Sequence, residues 1–149
     1  MTTSSVRTVF DRLGPEYSPL DAGTRAVVAQ FLFVHLDEYG DSLADIQACL
    51  DYAEERGGAV FAAYDGDELL GASITNRTGM QGFIPENILV YIAVHADARG
   101  KGVGKSLMEA ITSALDGSIA LHVEPQNPAK ALYEKYGFTN KYLEMRLTR

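Results

Sequence analysis

Apolar and polar residues follow two different periods along this chain, and the changes between them divide it into elements. Val6 to Leu13 alternates loosely and predicts a first strand. Gly14-Pro15 and Ser18-Pro19 then interrupt the pattern. Ser18 can cap a helix whose first turn accepts Pro19, and Val27, Val28, Phe31, Leu32 and Val34 carry the helical spacing on to Tyr39, where Gly40 stops it. Asp41 or Ser42 can cap a second helix, in which Leu43, Ile46, Leu50 and Ala53 draw an apolar stripe as far as Gly57-Gly58. Ala59 to Tyr64 and Glu68 to Thr75 then read as strands around an Asp65-Gly66-Asp67 hairpin turn. Asn76 to Pro85 reads as a loop. Ile88 to Val94 is apolar without interruption, which predicts a strand covered on both faces. The helical period returns from Gly104 to Leu115 and ends at Asp116-Gly117. Ile119 to Val123 is a short strand, Asn127 and Pro128 open a helix that ends at Gly137, and Tyr142 to Leu147 gives a last strand. The order β, α, α, β, β, β, α, β, α, β predicts one mixed α/β (α+β) domain over residues 1–149. Its most apolar strand feeds directly into a glycine-rich turn and a helix.

Composition narrows the partners. Hydrophobic residues are 46% and charged residues 22% of the 149, which excludes a disordered or low-complexity chain. The formal charge of −7 repels a duplex or an anionic membrane on average, so neither nucleic acid nor membrane is an expected partner. A local basic patch can still hold one small anion. Cys49 is the single cysteine, so an intramolecular disulfide and a cysteine-cluster zinc site are excluded. His35, His95 and His122 lack the spacing of a zinc-protease helix, and no metal is expected. Met1 to Val9 is polar and carries no signal-peptide core, and the longest strongly apolar run, Ile88 to Val94, is far shorter than the roughly 20 residues that span a membrane. A cytoplasmic protein is the expectation.

The candidate chemistry lies in Arg99-Gly100-Lys101-Gly102-Val103-Gly104-Lys105-Ser106. N–H groups at a helix start lack internal partners and converge with the positive end of the helix dipole, and glycines let an anion approach the backbone. The physics predicts a phosphate site, and spacing decides which phosphate. The P-loop pattern G-x-x-x-x-G-K-[ST] fails because Arg99 stands where its first glycine belongs. The dinucleotide pattern G-x-G-x-x-G fails because Lys105 stands at its last glycine. The pattern [R/Q]-x-x-G-x-[G/A] is satisfied by Arg99, Gly102 and Gly104. Downstream, Asn127-Pro128-Ala129-Lys130-Ala131-Leu132-Tyr133-Glu134-Lys135-Tyr136-Gly137-Phe138 sets an asparagine after a strand, then a helix with a tyrosine, then Gly-Phe.

These two blocks, in this order, resemble the GNAT family of N-acetyltransferases. The resemblance is strong from Ile88 to Phe138 and weak before about Ala59. It implies a central mixed, mostly antiparallel sheet with splayed fourth and fifth strands, flanked by about four helices. It also implies acetyl-coenzyme A as cosubstrate and an amine of a small molecule or peptide as acceptor. A homodimer is left open. Carried over, Ile92, Ala93 and Val94 offer backbone groups to the pantetheine arm, and Gly100, Lys101, Gly102, Val103, Gly104 and Lys105 offer donors to the pyrophosphate. Asn127 hydrogen-bonds the coenzyme arm. Two roles stand open for Arg99, support of the turn or contact with a phosphate. Tyr133 stands where the family protonates the departing thiolate, although Leu132, Tyr133 and Tyr136 also form an ordinary apolar helix face.

The expected reaction is direct attack by the amine in a ternary complex, with the Val94 N–H polarising the thioester carbonyl. The glutamate that some members carry on the fourth strand is replaced here by Ile88, and Glu86 and Asn87 are near but differently directed. Aligning the fifth strand on its Leu-x-Val places His122 at the position of another family glutamate, with Glu124 on the same strand face. The base is therefore His122, Glu124 or ordered water, and a structural histidine is the competing reading. Loss of the fourth-strand glutamate also keeps open a non-catalytic coenzyme A sensor of the same fold. Asp37, Glu38, Asp41 and Asp45 can attract a cationic amine or simply form a solvated surface, and Arg77, read in the loop before the fourth strand, can hold a substrate carboxylate.

Overall fold

The computed structural model describes residues 4–149. Five strands, β1 (Ser5–Arg12), β2 (Gly58–Asp65), β3 (Glu68–Arg77), β4 (Asn87–Val94) and β5 (Ile119–Leu121), form one sheet in sequence order. The first four pair antiparallel and β4–β5 is parallel. Four α-helices flank the sheet among the described residues: α1 (Ala22–His35), α2 (Leu43–Arg56), α3 (Val103–Ala114) and α4 (Ala129–Lys135).

Each sheet face buries its own core. On one side, Val28 and Leu32 of α1 and Ile46, Leu50 and Ala53 of α2 pack on Phe10, Val60, Ala72 and Ile74. On the other, Val103, Leu107, Met108 and Ile111 of α3 pack on Ala59, Phe61, Ala63 and Leu89. The alternation of Ala59, Val60, Phe61 between the two cores is the period-two geometry of a strand covered on both faces. Gly71 sets how closely α3 approaches. A Cβ there would lie 2.9 Å from both Leu107 Cδ1 and Val103 Cγ1.

One irregularity shapes β4. Ile74 pairs with Tyr91 and Thr75 with Leu89, so Val90 is an extra, bulged residue. Leu89 accordingly faces the α3 core whereas Tyr91 and Ala93 face the α1–α2 core. β5 pairs only with Asn87, Ile88 and Leu89, so the outer edge of β4 from Val90 to Val94 has no strand beside it. That opening is the splay between the fourth and fifth strands.

Several boundaries differ from the sequence expectation. α1 begins at Ala22, because Asp21 rather than Ser18 caps it, its carboxylate accepting the Thr24 N–H at 3.0 Å. The helix stops at His35, and Asp37–Tyr39 form a separate 3-10 turn with Asp37 at φ 54°. Ser42 caps α2, accepting from the Asp45 N–H at 3.1 Å. β3 runs on to Arg77, and β5 stops at Leu121 rather than Val123. The expected last strand, Tyr142 to Leu147, is absent as a strand. It pairs with no other strand, and Tyr142, Leu143, Met145 and Leu147 are 78–91% exposed. Its alternating pattern is real, but a strand needs an edge to pair with.

Candidate active site

The splay converges on the start of α3. After β4, Ala96–Ala98 make a 3-10 turn capped by His95, whose Nδ1 accepts the Asp97 N–H at 3.1 Å; His95 is a turn residue. Gly100 and Gly102 follow with φ of 78° and 85°, a left-handed conformation that glycine adopts without steric cost. The first bond of α3 runs from the Ser106 N–H to the Gly102 carbonyl, so the N–H groups of Val103, Gly104 and Lys105 precede the intrahelical ladder. Lys101 and Lys105 are exposed beside them. Free N–H groups, a helix N-terminus of twelve residues and two lysines form an anion cradle.

The geometry gives Arg99 a part in supporting the turn. Its guanidinium donates to the His35 carbonyl at 3.0 Å and to the Val94 carbonyl at 3.4 Å, tying the end of α1 to the end of β4. Arg99 buttresses the turn. The His35 and His95 rings stack beside it at 4.2 Å, and desolvation, then His95 and Arg99, lower the His35 pKa.

Backbone direction on β4 is equally specific. The His95 N–H donates to the Leu70 carbonyl at 2.7 Å, so Ala93, two residues earlier, also directs its polar groups at β3. Val94 and Ile92 then present theirs to the open edge. Ala93 packs its side chain in the α1–α2 core and pairs with Ala72 of β3.

α4 closes the far side. A Cβ on Gly104 would meet Leu132 Cδ2 at 3.1 Å and Val94 Cγ2 at 3.7 Å, so α3, α4 and the end of β4 meet at one point. Tyr136 places its hydroxyl 3.1 Å from the Lys105 carbonyl and 3.3 Å from Glu109 Oε1, clamping α4 to α3. Tyr133 is 7% exposed, its ring 6.2 Å from that of Phe138, and burial pushes its hydroxyl pKa up to about 12. Asn127 opens α4 with its side-chain oxygen accepting the Ala129 N–H at 2.9 Å, which commits the amide oxygen and leaves the nitrogen as a donor.

The base candidates lie just beyond β5. His122 and Glu124 are both exposed, and Glu124 accepts from Gln126 at 3.3 Å rather than from His122. The Tyr39 hydroxyl pKa is raised, first by desolvation and then by Glu38 and Glu124. Glu86 and Asn87 serve structure instead. Glu86 accepts the Ser118 N–H at 3.2 Å, and the buried Asn87 donates to the Asp116 carbonyl at 2.7 Å, fastening the α3–β5 connection to β4. Arg77 pairs across from Asn87 at the opposite end of β4 from the glycine turn, on the order of 23 Å away at strand rise.

One pair escaped the sequence reading. The buried Tyr91 donates to Asp41 Oδ2 at 2.5 Å, joining β4 to the α1–α2 turn, and burial and the Asp41 carboxylate raise the Tyr91 pKa. Two of the four acidic residues thereby have structural employment. Asp41 holds Tyr91, and Asp45 sits in the first turn of α2, where a carboxylate complements the dipole.

A mixed sheet that opens beside a glycine-capped helix start defines the acetyltransferase class of fold. The chain belongs to the GNAT family: residues 56–140, more than half of its length, match the acetyltransferase (GNAT) domain. A 5-NmdU N-acetyltransferase of Pseudomonas phage PaMx11 is 40% identical over 57 residues, 37% of this chain and 41% of that protein, so the match spans less than half of that relative. Among solved structures, the ribosomal-protein-S18-alanine N-acetyltransferase from Escherichia coli superposes with a TM-score of 0.69 at 19% identity, covering 92% of this chain and 78% of that one. An aminoglycoside acetyltransferase from an uncultured soil metagenomic sample gives 0.68 at 18% identity, covering 99% of each chain. Both share the fold. Among the described residues no helix is long and apolar enough to cross a membrane, and no group of three metal-ligating side chains gathers.

Proposed function

We propose that this acetyltransferase moves the acetyl group of acetyl-coenzyme A to an amine of a small molecule or peptide by direct attack in a ternary complex. The observation that carries the reading is the meeting, at one point, of the open β4 edge, the α3 cradle and α4 with Tyr133. Acetyl-coenzyme A supplies an activated acetyl thioester when bound. The residues present fit it. The N–H groups of Val103, Gly104 and Lys105, with Lys101, would hold the pyrophosphate, and Ile92 and Val94 would pair with the amide-bearing arm as a strand does. The Asn127 amide nitrogen adds a donor. The outward Val94 N–H stabilises negative charge on a carbonyl oxygen, a term worth about 3–4 kcal/mol per donor in well-ordered sites.

Tyr133 holds a proton at neutral pH and donates it to the departing thiolate. A buried hydroxyl with a raised pKa stays protonated until needed, and its presence on α4 favours an enzyme over a non-catalytic sensor. His122, exposed at the end of β5, or water takes the proton of the incoming ammonium. The phage relative named for 5-NmdU makes that compound one member of a sensible acceptor panel, beside polyamines, aminoglycosides and peptide N-termini. The decisive experiment is calorimetric titration with acetyl-coenzyme A followed by that panel, read by free-thiol release. Absence of binding at millimolar coenzyme removes the reading, and binding without turnover on any amine leaves the sensor.

A further inference from the structure

The loop between β3 and β4 stands apart from the opening beside α3, and it is internally bonded. The Thr78 N–H donates to the Glu86 carbonyl at 2.9 Å and the Thr78 hydroxyl to the Pro85 carbonyl at 2.7 Å, which closes the neck. Within the loop, the Met80 N–H donates to Thr78 Oγ1 at 3.2 Å and the Phe83 N–H to the Gln81 carbonyl at 2.9 Å. Compact loops whose ends are joined are frequently functional. This one borders a cavity of about 410 Å³, the size of a small-molecule site, and Arg77, Met80, Phe83 and Glu86 are among the residues that line it. Phe83 and Met80 are 82% and 43% exposed, apolar surface left bare on an ordered loop.

Two opposite charges line the same cavity without meeting. Arg77 is half-buried, its stem against the end of α2, where a Cβ on Gly57 would lie 3.3 Å from Arg77 Cδ. The Tyr52 hydroxyl donates to the Arg77 carbonyl at 2.7 Å and fixes the backbone there. Among the described residues the Arg77 guanidinium has no ion-pair partner, Glu86 included. Glu86 commits Oε1 to the Ser118 N–H at 3.2 Å and keeps Oε2 free. A guanidinium held by its stem presents a fork that suits a carboxylate, and a carboxylate oxygen accepts from an ammonium. A ligand with one charge of each sign therefore fits the pair, whereas Glu86 repels a dianion. Phe83 and Met80 add apolar walls, the second with an adaptable side chain. We propose that this pocket binds a free α-amino acid with an apolar side chain, its carboxylate on Arg77 and its ammonium on Glu86. A peptide terminus offers only one of those charges. The paired residues Asn87, Ile88 and Leu89 lie between the pocket and the open β4 edge, so the amino acid is a second ligand and not the acetyl acceptor. The inference stands independently of the coenzyme.

Calorimetric titration of the full chain with L-phenylalanine tests it, beside Arg77→Met, which keeps the stem, and Glu86→Gln, which keeps an acceptor for Ser118. The wild-type protein is expected to saturate at or below about 10 mM, and Arg77→Met to bind about tenfold or more weakly. L-Phenylalanine methyl ester, which lacks the carboxylate charge, is expected to lose as much on the wild-type protein and nothing further on Arg77→Met; the first comparison needs no variant. Hydrocinnamate, the same skeleton without the ammonium, is expected to bind Glu86→Gln at least as well as wild type. No saturation of the wild-type protein by L-phenylalanine, L-leucine or L-methionine overturns the proposal. So does equal binding of phenylalanine and its ester, or binding that Arg77→Met leaves intact. Free-thiol release from acetyl-coenzyme A on adding phenylalanine, lost in Arg77→Met, also overturns it, because the pocket would then be the acceptor site.

Discussion

Gly71→Ala pits two opposite effects against each other at the seam that holds the start of α3 to the sheet. Gly71 lies in β3 with an ordinary backbone conformation, so alanine is compatible with its backbone. Entropy alone would then stabilise the protein by about 0.4–1 kcal/mol, through a stiffer unfolded chain. The new methyl carbon, however, would stand 2.9 Å from Leu107 Cδ1 and Val103 Cγ1 and 3.2 Å from the Ala93 carbonyl. Leu107 and Val103 are 0% and 1% exposed and have nowhere to move except with α3 itself. Overpacking of this kind costs about 1–3 kcal/mol, so the net expectation is a loss of about 1–2 kcal/mol. For a chain of this length that is a fall in Tm of about 3–8 °C. Urea unfolding with an unchanged slope measures it. Gly14→Ala, with nothing within 4 Å of the added carbon, is the control and stays within about 0.5 kcal/mol. Because Val103 opens α3, the same shift is expected to weaken the proposed coenzyme binding. An equal or raised midpoint, with coenzyme affinity intact, would refute the claim that this contact sets the helix position.

Tyr133→Phe is expected to lower turnover at least tenfold with little change in coenzyme affinity, and unchanged turnover discards its acid role. The pH dependence has a definite sign. Burial raises the folded pKa of both Tyr133 and Cys49 to about 12, so their contribution to stability is complete below the unfolded values of about 10 and 8.5 and is lost as pH rises toward 12. Denaturant midpoints should fall through that window, and by less in Cys49→Ala and in Tyr133→Phe; identical slopes in all three proteins contradict the burial argument. Cys49, 8% exposed, should resist iodoacetamide at pH 8 while folded and react on unfolding, as counted by intact mass. His122→Ala should lower turnover at least tenfold with little change in coenzyme affinity, and unchanged turnover excludes it as the base.

Legibility followed the range of the interactions. The α3 start was readable because glycine conformation and helix-end N–H groups are local properties, and β4 because seven apolar residues in a row need cover on both sides. Ser18-Pro19 misled because Asp21 competes for the cap and wins through its bond to Thr24. Tyr91 and Asp41 are 50 residues apart, and within an apolar run Tyr91 reads only as core until the bulge turns it toward the α1–α2 turn. The two carbonyl partners of Arg99 were hidden because they belong to elements whose meeting no spacing reveals. Residues 142–147 show the converse: the alternation was correctly seen, but a strand is a relation between two segments.

The single bulged residue in β4 has a consequence for how this protein can change. In a strand of unbroken alternation that kept Val90 in the ladder, Leu89, Tyr91 and Ala93 would share one face and pack against one helical layer. With the bulge, the strand has two reading frames. Residues up to Leu89 answer to the packing of α3 and the β5 junction, whereas Tyr91 answers to α1, α2 and the turn between them. A substitution at Leu89 is therefore felt first by the α3 layer, and one at Tyr91 by the α1–α2 layer.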